Sequence, residues 1–473
     1  MTLLGHLVRY DLRSLRPLLA VWAAVLAGGT GVSEARNIRE ISGVKTIHVE
    51  NPDLGLVFVQ VVVTAGALLD PPGREGLANL CASTLLRGTR TRSYARIMDQ
   101  VNDLGASLDA SAQKEVYGLA GDFMPRHQDA YVEVLADVLA NPTFEAGEFE
   151  HERSLILEDI RNLRNDDAEL AGYFFARYLY RDHPLGRPTT GYLESVTTVT
   201  PEDCREFHKS HLRKGNLIVV LAGSIDEAGV ERFVRTVTTG IPEGPAEVMD
   251  MPKPGRGEGL RVLVVDKPDR TQTQVCMGHP SLAWNDPDLF PLMVGNTAFG
   301  GTFTARLMQE IREKRGWSYG ASSSISAGRQ FGTFSIRFYP ATKDTVPAIR
   351  LALDLVKDLA AKGLTRDEVA FSRDHLANQF PFRIETARKQ ADEKLADLLY
   401  GRPPRFIEDY VRTVRAQAPE AVNAALARWV VPDRMTIVVV GTAKDLEGEL
   451  RKIPGVKELV VVPYDSDRLP KGR

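Results

Sequence analysis

The chain has 473 residues, of which 43% are hydrophobic and 26% charged, a composition that fits about three ordinary globular domains with substantial cores. Its formal net charge is −3, with 59 basic and 62 acidic residues scattered along the chain. That distribution lacks the concentrated basic surface needed for nucleic-acid binding, which is therefore excluded.

At the N-terminus, Arg9, Arg13 and Arg16 precede an apolar run of ten residues from Leu18 to Ala27, and Ser33-Glu34-Ala35 places small residues where a signal peptidase reads. Such a run is too short to span a bilayer as a helix. Residues 1–35 are expected to be a cleaved export signal, which makes the mature chain periplasmic or exported, without an integral membrane span. An uncleaved anchor or an ordinary N-terminal helix, with a cytoplasmic chain, is the alternative. The three cysteines, Cys81, Cys204 and Cys276, are far apart and form no C-x-x-C, so they read as buried small hydrophobic residues and do not identify a compartment.

Beyond the leader, β-branched runs at Leu56 to Thr64 and Leu260 to Val265 predict strands, and Ala130 to Leu139, Glu145 to Leu163 and Val346 to Ala361 predict long amphipathic helices. The mixture predicts an α+β fold with helices layered on sheets. Thr200-Pro201-Glu202, a helix, and the apolar run Asn216 to Ser224 recur as Ala418-Pro419-Glu420, a helix, and Arg434 to Thr442. Pro201 to Pro419 and Gly223 to Gly441 share an offset of 218 residues, while Glu148 and Arg153 recur as Glu368 and Arg373 at an offset of 220. Two anchors this close in offset indicate duplication of one domain, of about 200 residues. The halves are expected at 41–240 and 259–463, joined by a Pro/Gly-rich linker over 241–258 and followed by a polar tail over 464–473.

Several landmarks occur in order. They are Gly76-Leu77-Ala78 and Leu85-Leu86-Arg87-Gly88-Thr89 around a short helix, the strand-like Gly105 to Ser111, His183-Pro184-Leu185-Gly186, and Phe207-His208 ahead of Asn216. In the second half, Gly300-Gly301-Thr302 leads into Arg306 to Arg315 and then Gly316-Trp317-Ser318-Tyr319. From about Ile41 to Val462 this series resembles the M16 peptidases, the pitrilysin or insulinase family of inverted zincins. The resemblance implies two homologous α/β-roll domains of the LuxS and mitochondrial-processing-peptidase type, forming a half-shell.

M16 enzymes carry H-x-x-E-H where this chain reads Asn79-Leu80-Cys81-Ala82-Ser83. Positions i and i+4 share a helix face, so imidazoles at 79 and 83 would clamp one Zn²⁺ beside a general base at 82. An amide at Asn79 and a hydroxyl at Ser83 are poor zinc ligands, and the methyl of Ala82 accepts no proton. Cys81 lies about 200° around the helix from position 79 and cannot substitute. The family's third ligand, a Glu, maps to Asp159. Metal binding by this chain is accordingly not expected.

The second half keeps what the resemblance marks as the peptide-gripping pair, Arg312 and Tyr319, seven residues apart at a helix-to-strand junction. Gly316 is suited to end the helix, and Trp317 to Ile325 reads as the strand. In the family this pair reaches peptide bound at the zinc. A guanidinium can bind carbonyls or a carboxylate bidentately, and a phenol can stabilise an oxyanion. Some bacterial M16 enzymes divide these parts between two chains. The resemblance therefore implies a zinc-less subunit, inactive alone, whose zinc-bearing M16 partner supplies H-x-x-E-H and acts with it on unfolded peptides. The alternative is a non-catalytic peptide-binding or scaffold protein with an M16 shell. His208 and His211 lack companions for a metal site, Gly300-Gly301 lacks the Lys-Ser/Thr of a phosphate loop, and Asp166-Asp167 reads as a polar turn.

Overall fold

The computed structural model describes residues 37–255, 257–403 and 405–469, so the leader predicted over 1–35 lies outside the described residues. The first sheet contains β1 (Ile38–Ile41), β2 (Val44–Glu50), β3 (Val57–Val63), β4 (Ser107–Ala112), β5 (Tyr117–Phe123) and β6 (Leu217–Gly223), in the order β1-β2-β6-β3-β5-β4. The second contains β7 (Leu260–Asp266), β8 (Gln274–Ser281), β9 (Ser318–Ser326), β10 (Gly332–Pro340), β11 (Thr436–Gly441) and β12 (Val456–Pro463), in the order β12-β7-β11-β8-β10-β9.

Five strands correspond in order across the two sheets, as duplication requires. The sixth does not. β1 pairs antiparallel with β2 through the two-residue Ser42-Gly43 turn, whose positive φ values suit a hairpin, whereas β12 comes from the chain's far end and pairs parallel with β7.

The helices that build the site are α1 (Leu77–Thr84), α2 (Ala146–Asn162), α3 (Asp167–Leu179), α4 (Pro201–His211), α5 (Arg366–Arg383), α6 (Ala387–Tyr400) and α7 (Pro419–Trp429). The repeat seen in the sequence is a repeat of contacts. Arg153 on α2 donates to the carbonyl of Val199, just ahead of α4, and Arg373 on α5 donates to the carbonyl of Gln417, just ahead of α7.

Each sheet has its own helices on one face and a helix borrowed from the other half on the opposite face. Leu217, Val219 and Leu221 of β6 belong to the first half's core, while Ile218, Val220 and Ala222 pack against Ala387, Ala391 and Leu395 of α6. Reciprocally, Val438 and Val440 of β11 pack against Leu170, Phe174 and Tyr178 of α3, and Ile437 and Val439 face the second half's core. Burial on both faces explains why β6 and β11 read as unbroken apolar runs instead of alternating. Among the described residues, no helix is long and apolar enough to cross a membrane.

Candidate functional site

Asn79, Ala82 and Ser83, the positions that the resemblance aligns with H-x-x-E-H, lie on α1, whose N-terminus is fixed by Asp70: its carboxylate accepts from the backbone N–H groups of Gly76 (2.8 Å) and Ala78 (2.9 Å). Asn79 and Ser83 are half-buried neighbours on one face, and the Ser83 hydroxyl donates back to the Asn79 carbonyl at 3.0 Å. Ala82 is fully buried. Asp159 is exposed on α2, and its side chain makes no hydrogen bond or ion pair with the described residues. Glu152, on the same face two turns earlier, pairs with Arg87.

An amide, a hydroxyl committed to the backbone, a methyl and one carboxylate do not fit a zinc ion. Among the described residues, no group of three or more His, Cys, Asp or Glu is arranged to hold a metal.

Cys81, on the opposite face of α1, is disulfide-bonded to Cys204 of α4 across 123 residues. This corrects the reading of both as unpaired small hydrophobic residues: packing of α1 against α4 brings the two thiols together. Cys276 is free and buried, as expected.

His208 and His211 serve separate structural roles. The Nε2 of His208 must donate to the Leu139 carbonyl, since a carbonyl only accepts, at 2.7 Å, which leaves Nδ1 to accept from the Tyr117 hydroxyl at 3.0 Å. Burial holds this imidazole down at about 4. His211 pairs instead with Glu247 at 2.6 Å. Asp166 caps α3, and Asp167 binds Lys267 (2.5 Å) and Arg270 (3.1 Å) of the other half, so this polar turn is a tie between halves.

The second half presents a different surface. Arg312 sits in a π-helical segment, Met308–Glu313; just beyond it Gly316 turns the chain with φ +62°, and its N–H donates to the Arg312 carbonyl at 2.8 Å. Such wide turns recur at functional sites. Tyr319 opens β9, the edge strand of its sheet. The Arg312 guanidinium lies 4.7 Å from the Tyr319 ring centre and 5.3 Å from that of Phe303. These rings are 75% and 71% exposed, so both remain open to a ligand. The one carboxylate paired with Arg312 is its neighbour Glu313, at 3.4 Å through Nε, which leaves the two Nη groups free of partners among the described residues. The tertiary fold thus brings Arg312 and Tyr319 into one unit, and adds Phe303, which the sequence reading did not single out. An isolated Phe in a Gly/Thr-rich loop gave little signal.

The insulinase (peptidase family M16) description matches residues 45–192, and the peptidase M16 inactive domain description matches residues 198–376. An uncharacterized zinc protease of Streptomyces coelicolor is 26% identical over 428 residues, spanning 89% of this chain and 92% of that protein. An uncharacterized zinc protease of Mycobacterium tuberculosis is 28% identical over 422 residues, spanning 87% and 95%. In fold, a solved peptidase M16 inactive domain from Pseudomonas fluorescens is similar with a TM-score of 0.78 at 24% identity, covering 85% of this chain and 97% of that one. An insulinase-type unit followed in order by an inactive-type unit, on two sheets of matching topology, places the chain in the M16 peptidase family.

Proposed function

We propose that this chain is the zinc-less subunit of a two-chain M16 metallopeptidase, contributing Arg312 and Tyr319 to a peptide held at the zinc site of an H-x-x-E-H partner. The observation that carries the reading is the coexistence of a half-buried Arg312 stacked on the exposed Tyr319 ring with an eroded motif at Asn79, Ala82 and Ser83. The free Nη groups of Arg312 bind a peptide carbonyl or carboxylate, and the Tyr319 hydroxyl donates to the oxyanion that develops when a peptide carbonyl is attacked. One such donor is worth roughly 10²- to 10³-fold in turnover. The substrate is an unfolded peptide, able to add as a strand to an exposed sheet edge; in this chain β4, over the Ser107–Ala112 segment, is such an edge. We place the mature protein in an exported, oxidising compartment. The leader-like residues 1–35 support that placement, as does the Cys81–Cys204 disulfide.

The test is reconstitution. Purified alone, the chain should leave an unstructured fluorogenic peptide intact; mixed with its H-x-x-E-H partner it should cleave that peptide. Chelator-sensitive cleavage by the isolated chain would overturn the proposal. A cleaving complex indifferent to loss of Arg312 and Tyr319 would instead favour the scaffold reading.

A further inference from the structure

Beside the Arg312–Tyr319 pair, the second sheet has a face that its borrowed helix does not finish covering. One row of residues runs straight across five strands: Ser322, Arg337, Cys276, Val438 and Leu263 are successive cross-strand partners. Directly opposed residues share a face. Cys276, Val438 and Leu263 are buried beneath α3, whereas Arg337 and Ser322, at the open end of the row, are exposed. Where the cover stops there is a cleft of about 340 Å³, at the small end of ligand sites, with Phe303 and Tyr319 among its lining residues.

The cleft is lined mostly by small or apolar residues, among them Ala168 and Ala171 of α3 and Met308, together with the neutral polar Gln274 and Tyr339. Gly172 of α3 adjoins the charge: a Cβ there would lie 3.4 Å from a terminal nitrogen of Arg337, so the guanidinium lies close against the helix backbone. The Arg337 side chain makes no hydrogen bond or ion pair with the described residues, and no Asp or Glu lines the cleft. The neighbouring Cys276 thiol is pushed up to about 11 by burial, so it stays neutral and does not offset the charge. An uncompensated guanidinium in a concave, partly apolar setting favours a carboxylate, which it can bind through two parallel N–H groups.

We propose that this cleft is a side-chain subsite that selects extended peptides carrying Asp or Glu, with Arg337 reading the carboxylate. Its position relative to the peptide rests on the Arg312–Tyr319 reading above. The specificity is chemical and local: one acidic side chain beside the gripped backbone, not a general attraction for anions.

The isolated full-length chain tests this apart from catalysis. Two fluorescein-labelled, unstructured decapeptides, identical except for a single Glu or Gln among neutral residues, are titrated by anisotropy at low and physiological salt. The Glu peptide should bind about tenfold more tightly. Arg337→Gln should erase that difference. Arg337→Glu should transfer the preference to a Lys peptide, a gain that misfolding cannot mimic. Equal binding of the Glu and Gln peptides by the native chain, or a Glu preference that survives Arg337→Gln, would overturn the proposal. In the reconstituted pair, the same peptides separate the two readings. Cleavage without acid preference removes the subsite alone, and acid-selective binding without cleavage in any reconstituted pair removes the subunit reading alone.

Discussion

Cys81 and Cys204 are covalently joined through the back of the helix whose front carries Asn79 and Ser83. Asn79 and Ser83 occupy the accessible face, and the bond to α4 holds the buried one. The helix that would grip a metal is therefore fixed in place without one. Non-reducing denaturation should expose one titratable thiol, that of Cys276, and reduction should raise the count to three. Cys204→Ser should lower the unfolding free energy by about 2–4 kcal/mol, because the closed loop is long. Three free thiols in the unreduced protein would refute the assignment.

For the Arg312–Tyr319 stack, the expected signature is a catalytic loss without a folding loss. Arg312→Ala or Tyr319→Phe should reduce turnover by the reconstituted complex about 10²-fold or more. The Tyr319 ring is exposed, and a cation–π contact at an exposed ring is worth only about 0.5–1 kcal/mol, so thermal midpoints should barely move. Arg312→Lys should rescue little, because an ammonium lacks the planar fork. Kinetics and differential scanning fluorimetry on the same preparations distinguish these outcomes.

Acid should unfold the protein partly through His208. Its folded pKa is depressed to about 4 by burial, against 6.5 for an exposed imidazole. Between those values the unfolded chain binds a proton that the folded chain refuses, so stability falls as pH drops through this window and is intact above it. The accumulated loss is about 3 kcal/mol at pH 4. His208→Gln should lower stability at neutral pH yet flatten the slope between pH 6.5 and 4, as read by denaturant midpoints.

The metal motif should be recoverable only as a set. The native chain should copurify with no stoichiometric zinc, whereas Asn79→His, Ala82→Glu and Ser83→His combined with Asp159→Glu should retain metal after dialysis, measured by atomic emission. Ala82 is fully buried, so a carboxylate there costs stability unless the restored site engages it. Tightly bound zinc in the native chain would contradict the ligand analysis.

Much of the fold was legible because local patterns and the global fold agree. The run Leu56 to Thr64 forms β3 over Val57–Val63, and Val346 to Ala361 forms a helix over Thr345–Lys362. Gly316 lies in the turn just after the helical segment, with the positive φ that suits glycine there. Arg312 and Tyr319 were singled out as a pair only through the family resemblance, because seven residues across a helix-to-strand junction carry no chemical signal of their own. Cys81 and Cys204 were not legible as a pair: their meeting depends on how two helices 123 residues apart in sequence pack together.

The amino-acid sequence by itself determined the repeated strand–helix plan and the chemistry of α1, where an amide at 79, a methyl at 82 and a hydroxyl at 83 cannot grip a zinc ion. These are properties of residue type and short-range spacing, which periodicity and chemistry set directly. Tertiary structure alone decided the exchange of α3 and α6 between halves, the Cys81–Cys204 bond, and the cleft at Arg337 where the cover of α3 runs out. A strand buried on both faces has the same apolar run whichever helix covers it. Which helix does so, and where its cover ends, depends on contacts between residues far apart in the chain.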